Sequence, residues 1–209
     1  NDKKYKVLIP NRDTLDLVDQ KKTLNFFKKN KIDYVINAAG LVGGIKKNIE
    51  NQIDFLDINF RIQSNVLKAA HQNNVEKFIN VASSCIYPKN HKQPLKEDYL
   101  FNGGFEPTNE GYALAKVCGL KLAEFYKKKF NFNSKTCIPC NIYGIGDKFF
   151  DDSSHFVAGI ISKIYNAKIN NEKFVKLWGT GNPRREIMFN SEVARAIKFC
   201  LERKINEQN

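Results

Sequence analysis

The stretch Lys77-Phe78-Ile79-Asn80-Val81-Ala82-Ser83-Ser84-Cys85-Ile86-Tyr87-Pro88, followed after a polar loop by Tyr112-Ala113-Leu114-Ala115-Lys116, decides how the chain reads. Its first six residues, Lys77 to Ala82, read as a strand, which delivers Ser83 to the strand's carboxyl end. Residues 87–110 are rich in Pro, Gly and polar side chains and read as a long loop. Tyr112 to Phe130 has helical periodicity, so Tyr112 and Lys116 lie one above the other on one face. An ammonium beneath a phenol lowers its pKa, and a phenol so tuned passes a proton near neutral pH. Ser83 closes a triad if its hydroxyl shares a carbonyl oxygen with Tyr112. In a chain with 8 Tyr the Tyr-x-x-x-Lys pair alone is just as well a solvated helix face. The strand ending in Ser and the Pro-bounded loop are what favour a site.

Outward from this stretch, strands and helices alternate. Tyr5 to Pro10 reads as a strand, Asp19 to Lys31 as a helix burying Leu24, Phe26 and Phe27, and Asp33 to Ala39 as a buried strand. Asn51 to Asn73 carries an apolar helical stripe through Ile62 and Val66. Beyond the central stretch, Lys135 to Cys140 is a strand, Ser153 to Ala167 a helix and Phe174 to Trp178 a short strand. Ser191 to Arg203 is a last helix, with Ser191 as its cap. The order predicts an α/β fold, a doubly wound parallel sheet.

A chain of 209 residues with 42% hydrophobic side chains is long enough for one domain with a sizeable core. No apolar run reaches membrane-spanning length and no signal segment opens the chain, which predicts a cytoplasmic protein with no membrane partner. The net charge of +12 suits an anionic partner. The Lys are scattered over helices without a nucleic-acid motif, so no nucleic acid is expected. Five Cys, an odd number without framework spacing, read as reduced thiols. Cys137 and Cys140 match C-x-x-C, but positions three apart on a strand face opposite ways, and no metal site is expected.

Three motifs in register over nearly the whole chain resemble the GDP-L-fucose synthase family of the extended short-chain dehydrogenase/reductase superfamily. They are Ser83 to Pro88, Glu106 to Glu110 with Tyr112 and Lys116 after it, and Trp178 to Glu186. The resemblance implies a Rossmann-like domain, NADPH as cofactor and a nucleotide sugar as substrate. Such a sheet opens with a strand, a Gly-rich turn and a helix. No G-x-x-G-x-x-G precedes the first strand here, and the first residue is Asn1. The resemblance therefore implies a fragment that begins at the family's second strand and stops before most of its carboxyl-terminal domain. Residues 1–150 would be an incomplete nucleotide-binding domain. Residues 151–209 would start the substrate-binding region, with elements returning to the first domain.

In the implied reaction, GDP-4-keto-6-deoxy-D-mannose is epimerised beside its carbonyl, and the carbonyl is then reduced by hydride. Ser83 and Tyr112 would stabilise the enolate oxygen, and Tyr112 would protonate the alkoxide while Lys116 holds the nicotinamide ribose. Epimerisation needs a further base and acid, which the resemblance finds in Cys85 and His155. Cys85 faces the same cleft as Ser83 if the chain stays extended, although a lone Cys is more often a core filler. His155 follows Asp151 to Ser154, a run suited to start a helix.

For the cofactor the resemblance points to Arg12, Asp13 and Leu17, to Val81, Ala82, Ser83 and Ser84, to Pro139, Cys140, Asn141 and Ile142, and to Lys116 and His155. Arg12 can pair with a 2′-phosphate, yet the same residues read equally well as a solvated turn. For the substrate it points to Lys163, Trp178 and Arg185, whose guanidinium suits a diphosphate. A homodimer pairing through the two long helices is also implied. The rival readings are another nucleotide-sugar epimerase or dehydratase, which would not need Cys85 and His155, and a non-catalytic degenerate binding domain.

Overall fold

Strand Lys77–Val81 is buried along its whole length, because both of its edges are paired and both of its faces are covered. The computed structural model describes residues 4–149, 154–177 and 179–203. In chain order these form α1 (Gln20–Asn30), β1 (Tyr34–Asn37), α2 (Ile45–Glu50), α3 (Gln52–Gln72), β2 (Lys77–Val81), α4 (Glu110–Phe130), β3 (Ser134–Cys137), β4 (Asn141–Tyr143), α5 (Phe156–Ile169), β5 (Ile187–Phe189) and α6 (Asn190–Glu202). Strands β1, β2 and β3 make a parallel sheet in that order, with Ile36 beside Ile79 and Ile79 beside Lys135. Strands β4 and β5 form a separate parallel pair.

The alternation of side chains along β2 sorts the two layers of helices. Phe78 enters a cluster with Phe27, Val35, Ile62, Val66 and Phe132, which α1, α3 and α4 cover. Ile79 and Val81 point the other way, against Val193 and Ile197 of α6. The sheet is therefore doubly wound, as the sequence predicts. Helix α1 begins where Asp19 accepts the Lys22 N–H at 3.0 Å and ends where Lys31 turns left-handed.

Three expected features differ. Tyr5 to Pro10 has strand composition but makes no ladder among the described residues, and Val7 and Ile9 are 66% and 87% exposed. A strand requires a neighbour as well as a sequence; here only Tyr5 is tied down, by its ring edge against Tyr34 and its hydroxyl donating to Glu202 at 3.0 Å. Residues 174–177 are likewise not a strand, while Trp178 lies outside the described residues. The pairing goes instead to β4 and β5. Helix α6 starts one residue before the expected Ser191 cap, and the Asn190 amide donates to the Ile145 carbonyl at 2.8 Å.

Candidate active site

The carboxyl end of β2 runs straight into Ser83. Beyond Val81 the ladder continues as two single bonds, from the Ala82 N–H to the Cys137 carbonyl at 2.8 Å and from the Ser84 N–H to the Pro139 carbonyl at 3.0 Å. Those bonds place residues 81–84 beside residues 137–140, so two of the stretches expected at the cofactor lie side by side. Asn141 and Ile142 then pass into β4 and are exposed, with both the backbone N–H and the side-chain amide of Asn141 donating to the Glu186 carbonyl.

Ser83 keeps an extended backbone, and residues 84–86 close a single 3-10 turn. Cys85 is therefore not on a continued strand, as the spacing suggested. The turn itself brings it back to Ser83, whose hydroxyl oxygen accepts the Cys85 N–H at 3.5 Å. Burial pushes the Cys85 thiol up, against opposing pulls from the Ser83 hydroxyl and from the Lys116 charge.

Tyr112 and Lys116 meet this turn from α4. The Lys116 ammonium lies over the Tyr112 ring, 5.5 Å from its centroid, and donates to the Val81 carbonyl at 2.8 Å. The spacing thus places both groups on one face, but the electrostatic consequence differs from the expected one. Burial dominates: it raises the Tyr112 phenol well above its ordinary value, with Cys85 adding to the rise, and lowers Lys116 to about 8. The ammonium sits on the ring face and the Val81 carbonyl, and the phenol pKa is not depressed. Ser83, Cys85, Tyr112 and Lys116 form one cluster at the end of β2.

The other expected residues stand apart. His155 is exposed at the amino end of α5, where its carbonyl accepts the Gly159 N–H at 2.8 Å. Arg12 and Asp13 are exposed in a turn, while Leu17 is half-buried against the core and its carbonyl accepts the Asn65 amide at 2.9 Å. Lys163 is exposed on α5 with its ammonium on the Lys176 carbonyl at 3.2 Å, and Arg185 donates to the Arg184 carbonyl. Trp178 is outside the described residues.

Sequence reasoning missed the polar residues that hold this cluster from α3. Asn59 accepts the Leu41 N–H at 2.7 Å and donates to the Leu41 carbonyl at 3.0 Å, fixing the loop after β1. A Cβ on Gly40 would come within 2.9 Å of that Asn59 oxygen. Gln63 donates to the Ala115 carbonyl at 2.8 Å, next to Lys116. Asn59 and Gln63, one turn apart and almost fully buried, interrupt the apolar stripe of α3. That interruption was the available signal.

The chain belongs to the NAD dependent epimerase/dehydratase family, whose model matches residues 1–209. It is 41% identical over 200 residues to a GDP-L-colitose synthase of Yersinia pseudotuberculosis and 40% identical over 196 residues to a GDP-L-fucose synthase of Escherichia coli K12. Those alignments cover 95% and 94% of this chain but 65% and 61% of the relatives, so the chain spans less than two thirds of their length. Among solved structures, a GDP-L-fucose synthetase from Naegleria fowleri bound to NADP superposes with a TM-score of 0.84 at 29% identity. That match covers 93% of this chain and 63% of the other.

Proposed function

We propose that this chain carries the catalytic residues of an NADPH-dependent epimerase and reductase that converts GDP-4-keto-6-deoxy-D-mannose to GDP-L-fucose. The observation that carries the proposal is the convergence of Ser83, Cys85, Tyr112 and Lys116 at the carboxyl end of β2 in a chain about 40% identical to synthases of GDP-linked L-sugars. In open parallel sheets that end is where ligands bind.

The residues present suit the nicotinamide half of NADPH. Lys116 offers a buried ammonium for ribose hydroxyls, and residues 81–84 and 139–142 line the adjoining strand ends. When bound, the cofactor supplies hydride. The chain's own groups supply the rest. A phenol held protonated by burial is in the form needed to give its proton to a forming alkoxide, and the Ser83 hydroxyl can donate to the same oxygen. Cys85, beside Ser83, is assigned the exchange of a proton on the carbon next to that carbonyl. His155 is assigned the opposing acid, and Lys163, Trp178 and Arg185 the sugar nucleotide. Arg12 and Asp13, exposed in their turn, are assigned the adenosine end.

The same proposal takes residues 1–150 as nucleotide-binding and residues 151–209 as the start of the substrate region; the return of α6 to β2 supports elements crossing back. It takes the protein as cytoplasmic, consistent with the finding that, among the described residues, no helix is long and apolar enough to cross a membrane. It also takes the protein as a homodimer through α3 and α4, supported by Ile53, Leu56 and Phe60 of α3, which remain 82%, 37% and 41% exposed.

The test is to supply the full gene product with GDP-4-keto-6-deoxymannose and NADPH and to follow nicotinamide absorbance and the sugar product. Cofactor oxidation with appearance of GDP-L-fucose, abolished in Tyr112→Phe, is expected. Turnover of a different 4-keto sugar nucleotide alone would transfer the assignment to another epimerase of the family. The colitose relative, as similar as the fucose one, makes that the comparison to run.

A further inference from the structure

Helix α4 carries Tyr112 in its first turn, yet its own cap residue, Asn109, makes no side-chain cap bond. The missing acceptor comes from another helix. Gln52, the first residue of α3, accepts the Gly111 N–H at 2.7 Å through its side-chain oxygen and donates to the Pro107 carbonyl at 2.8 Å through its side-chain nitrogen. One amide thus spans the 3-10 turn 107–109 and the first turn of α4. Glycine at 111 makes this approach feasible. A Cβ there would lie 2.3 Å from the Gln52 carbonyl oxygen and 2.9 Å from its side-chain oxygen.

The residue after Gly111 is Tyr112, and its ring packs edge-to-face on Phe55 at 6.2 Å between centroids. Phe55 stands three positions after Gln52, on the same first turn of α3. The opening turn of α3 therefore holds the start of α4 twice, by the Gly111 N–H through Gln52 and by the Tyr112 ring through Phe55. A donor left without this amide would have to find water or pivot, carrying the phenol with it.

We propose that Gln52 is a positioning residue for Tyr112, fixing the first turn of α4 so that the Tyr112 ring stays beneath Lys116 at the end of β2. The proposal rests on the reductase reading above. Reactions that depend on near-attack geometry fall steeply when a group shifts by a fraction of an ångström.

The experiment compares the full gene product with Gln52→Leu, which removes both bonds, and Gln52→Glu, which keeps the acceptor for Gly111. Three quantities are read: amide exchange at residues 110–113, the NMR titration of the Tyr112 phenol carbon, and kcat and KM. Expected for Gln52→Leu are faster exchange confined to those residues, a Tyr112 titration moved toward ordinary tyrosine, and a fall in kcat of about tenfold with KM for NADPH unchanged. Gln52→Glu, whose second carboxylate oxygen faces the Pro107 carbonyl with no hydrogen to donate, should recover part of the protection and of kcat. Unchanged exchange in Gln52→Leu, or faster exchange with wild-type kcat and titration, overturns the proposal. If the wild type reduces no 4-keto sugar nucleotide, the reductase reading fails instead, and exchange with the Tyr112 titration still decides whether Gln52 places the phenol. Should Gln52→Leu fail to fold, Gln52→Asn, one methylene short of both partners, takes its place with the same outcomes.

Discussion

The Lys116 ammonium bonds the Val81 carbonyl at 2.8 Å while lying 5.5 Å from the centre of the Tyr112 ring, so a buried cation and a buried phenol share the end of one strand. Their protonation is set by burial, and stability must follow pH accordingly. Lys116 is held at about 8 in the folded protein against an ordinary 10.5, so the unfolded chain binds the extra proton between those values and stability rises with pH there. Tyr112 is raised above its ordinary 10.0, so beyond about pH 10 the folded state keeps a proton that the unfolded chain releases, and stability falls. Urea unfolding from pH 7 to 11 should show a rise that Lys116→Met removes and a later fall that Tyr112→Phe blunts. A wild-type curve flat across the interval would refute both assignments.

Cys85 and His155 separate the proposed chemistry from that of other epimerases and dehydratases. In the full gene product, Cys85→Ser and His155→Gln should each slow solvent deuterium exchange beside the substrate carbonyl by about 100-fold or more. Hydride transfer to a ketone that needs no epimerisation should persist. Equal loss of both steps in both variants would rule out separate roles.

Two glycines on different helices should respond oppositely to alanine. A Cβ at Gly119 would meet the Gln63 side-chain oxygen at 1.9 Å, the end of a buried side chain whose amide nitrogen is tied to the Ala115 carbonyl at 2.8 Å, so moving aside breaks a buried hydrogen bond. Gly119→Ala should cost about 2 kcal/mol in chemical denaturation. At Gly159 of α5 the nearest atom is the Ser154 Cβ at 3.8 Å, an ordinary contact, and Gly159→Ala should stabilise by about 0.5–1 kcal/mol. The same sign for both would contradict the packing.

Lys77 is buried at the start of β2, and its ammonium donates to the carbonyls of Leu201, at 3.0 Å, and Arg203. Burial, reinforced by the Lys135 charge, lowers its pKa. Lys77→Met should leave the end of α6 without these donors, costing about 1–3 kcal/mol and raising amide exchange near residues 197–202. Protection there equal to wild type would show that helix packing alone holds α6.

What the sequence made legible was what local periodicity encodes. Helices α3 and α4 and strand β2 fall within a residue or two of their expected limits, because long amphipathic stripes, and Phe78, Ile79 and Val81 close together in β2, leave little choice. Pairing is less local: Tyr5 to Pro10 has the composition of a strand without a ladder, while the three-residue strands β4 and β5 are too short to carry a pattern. At the site, spacing alone put Tyr112 and Lys116 on one face. The sign of the phenol's shift depends on how deeply both are buried, which spacing does not record. The Gln52 amide was invisible for the same reason, since a polar residue at a helix start is ordinary until its partner helix is known.

The Lys77 contacts join positions 124 and 126 residues apart. During synthesis, β2 emerges long before the carbonyls that receive its ammonium exist. Until α6 arrives, that charge must stay hydrated, and the amino end of the central strand cannot settle into its dry position. The nucleus of assembly is then expected in α3, α4 and the far half of β2, where the site lies, with the sheet's second face closed last by the arrival of residues 190–203.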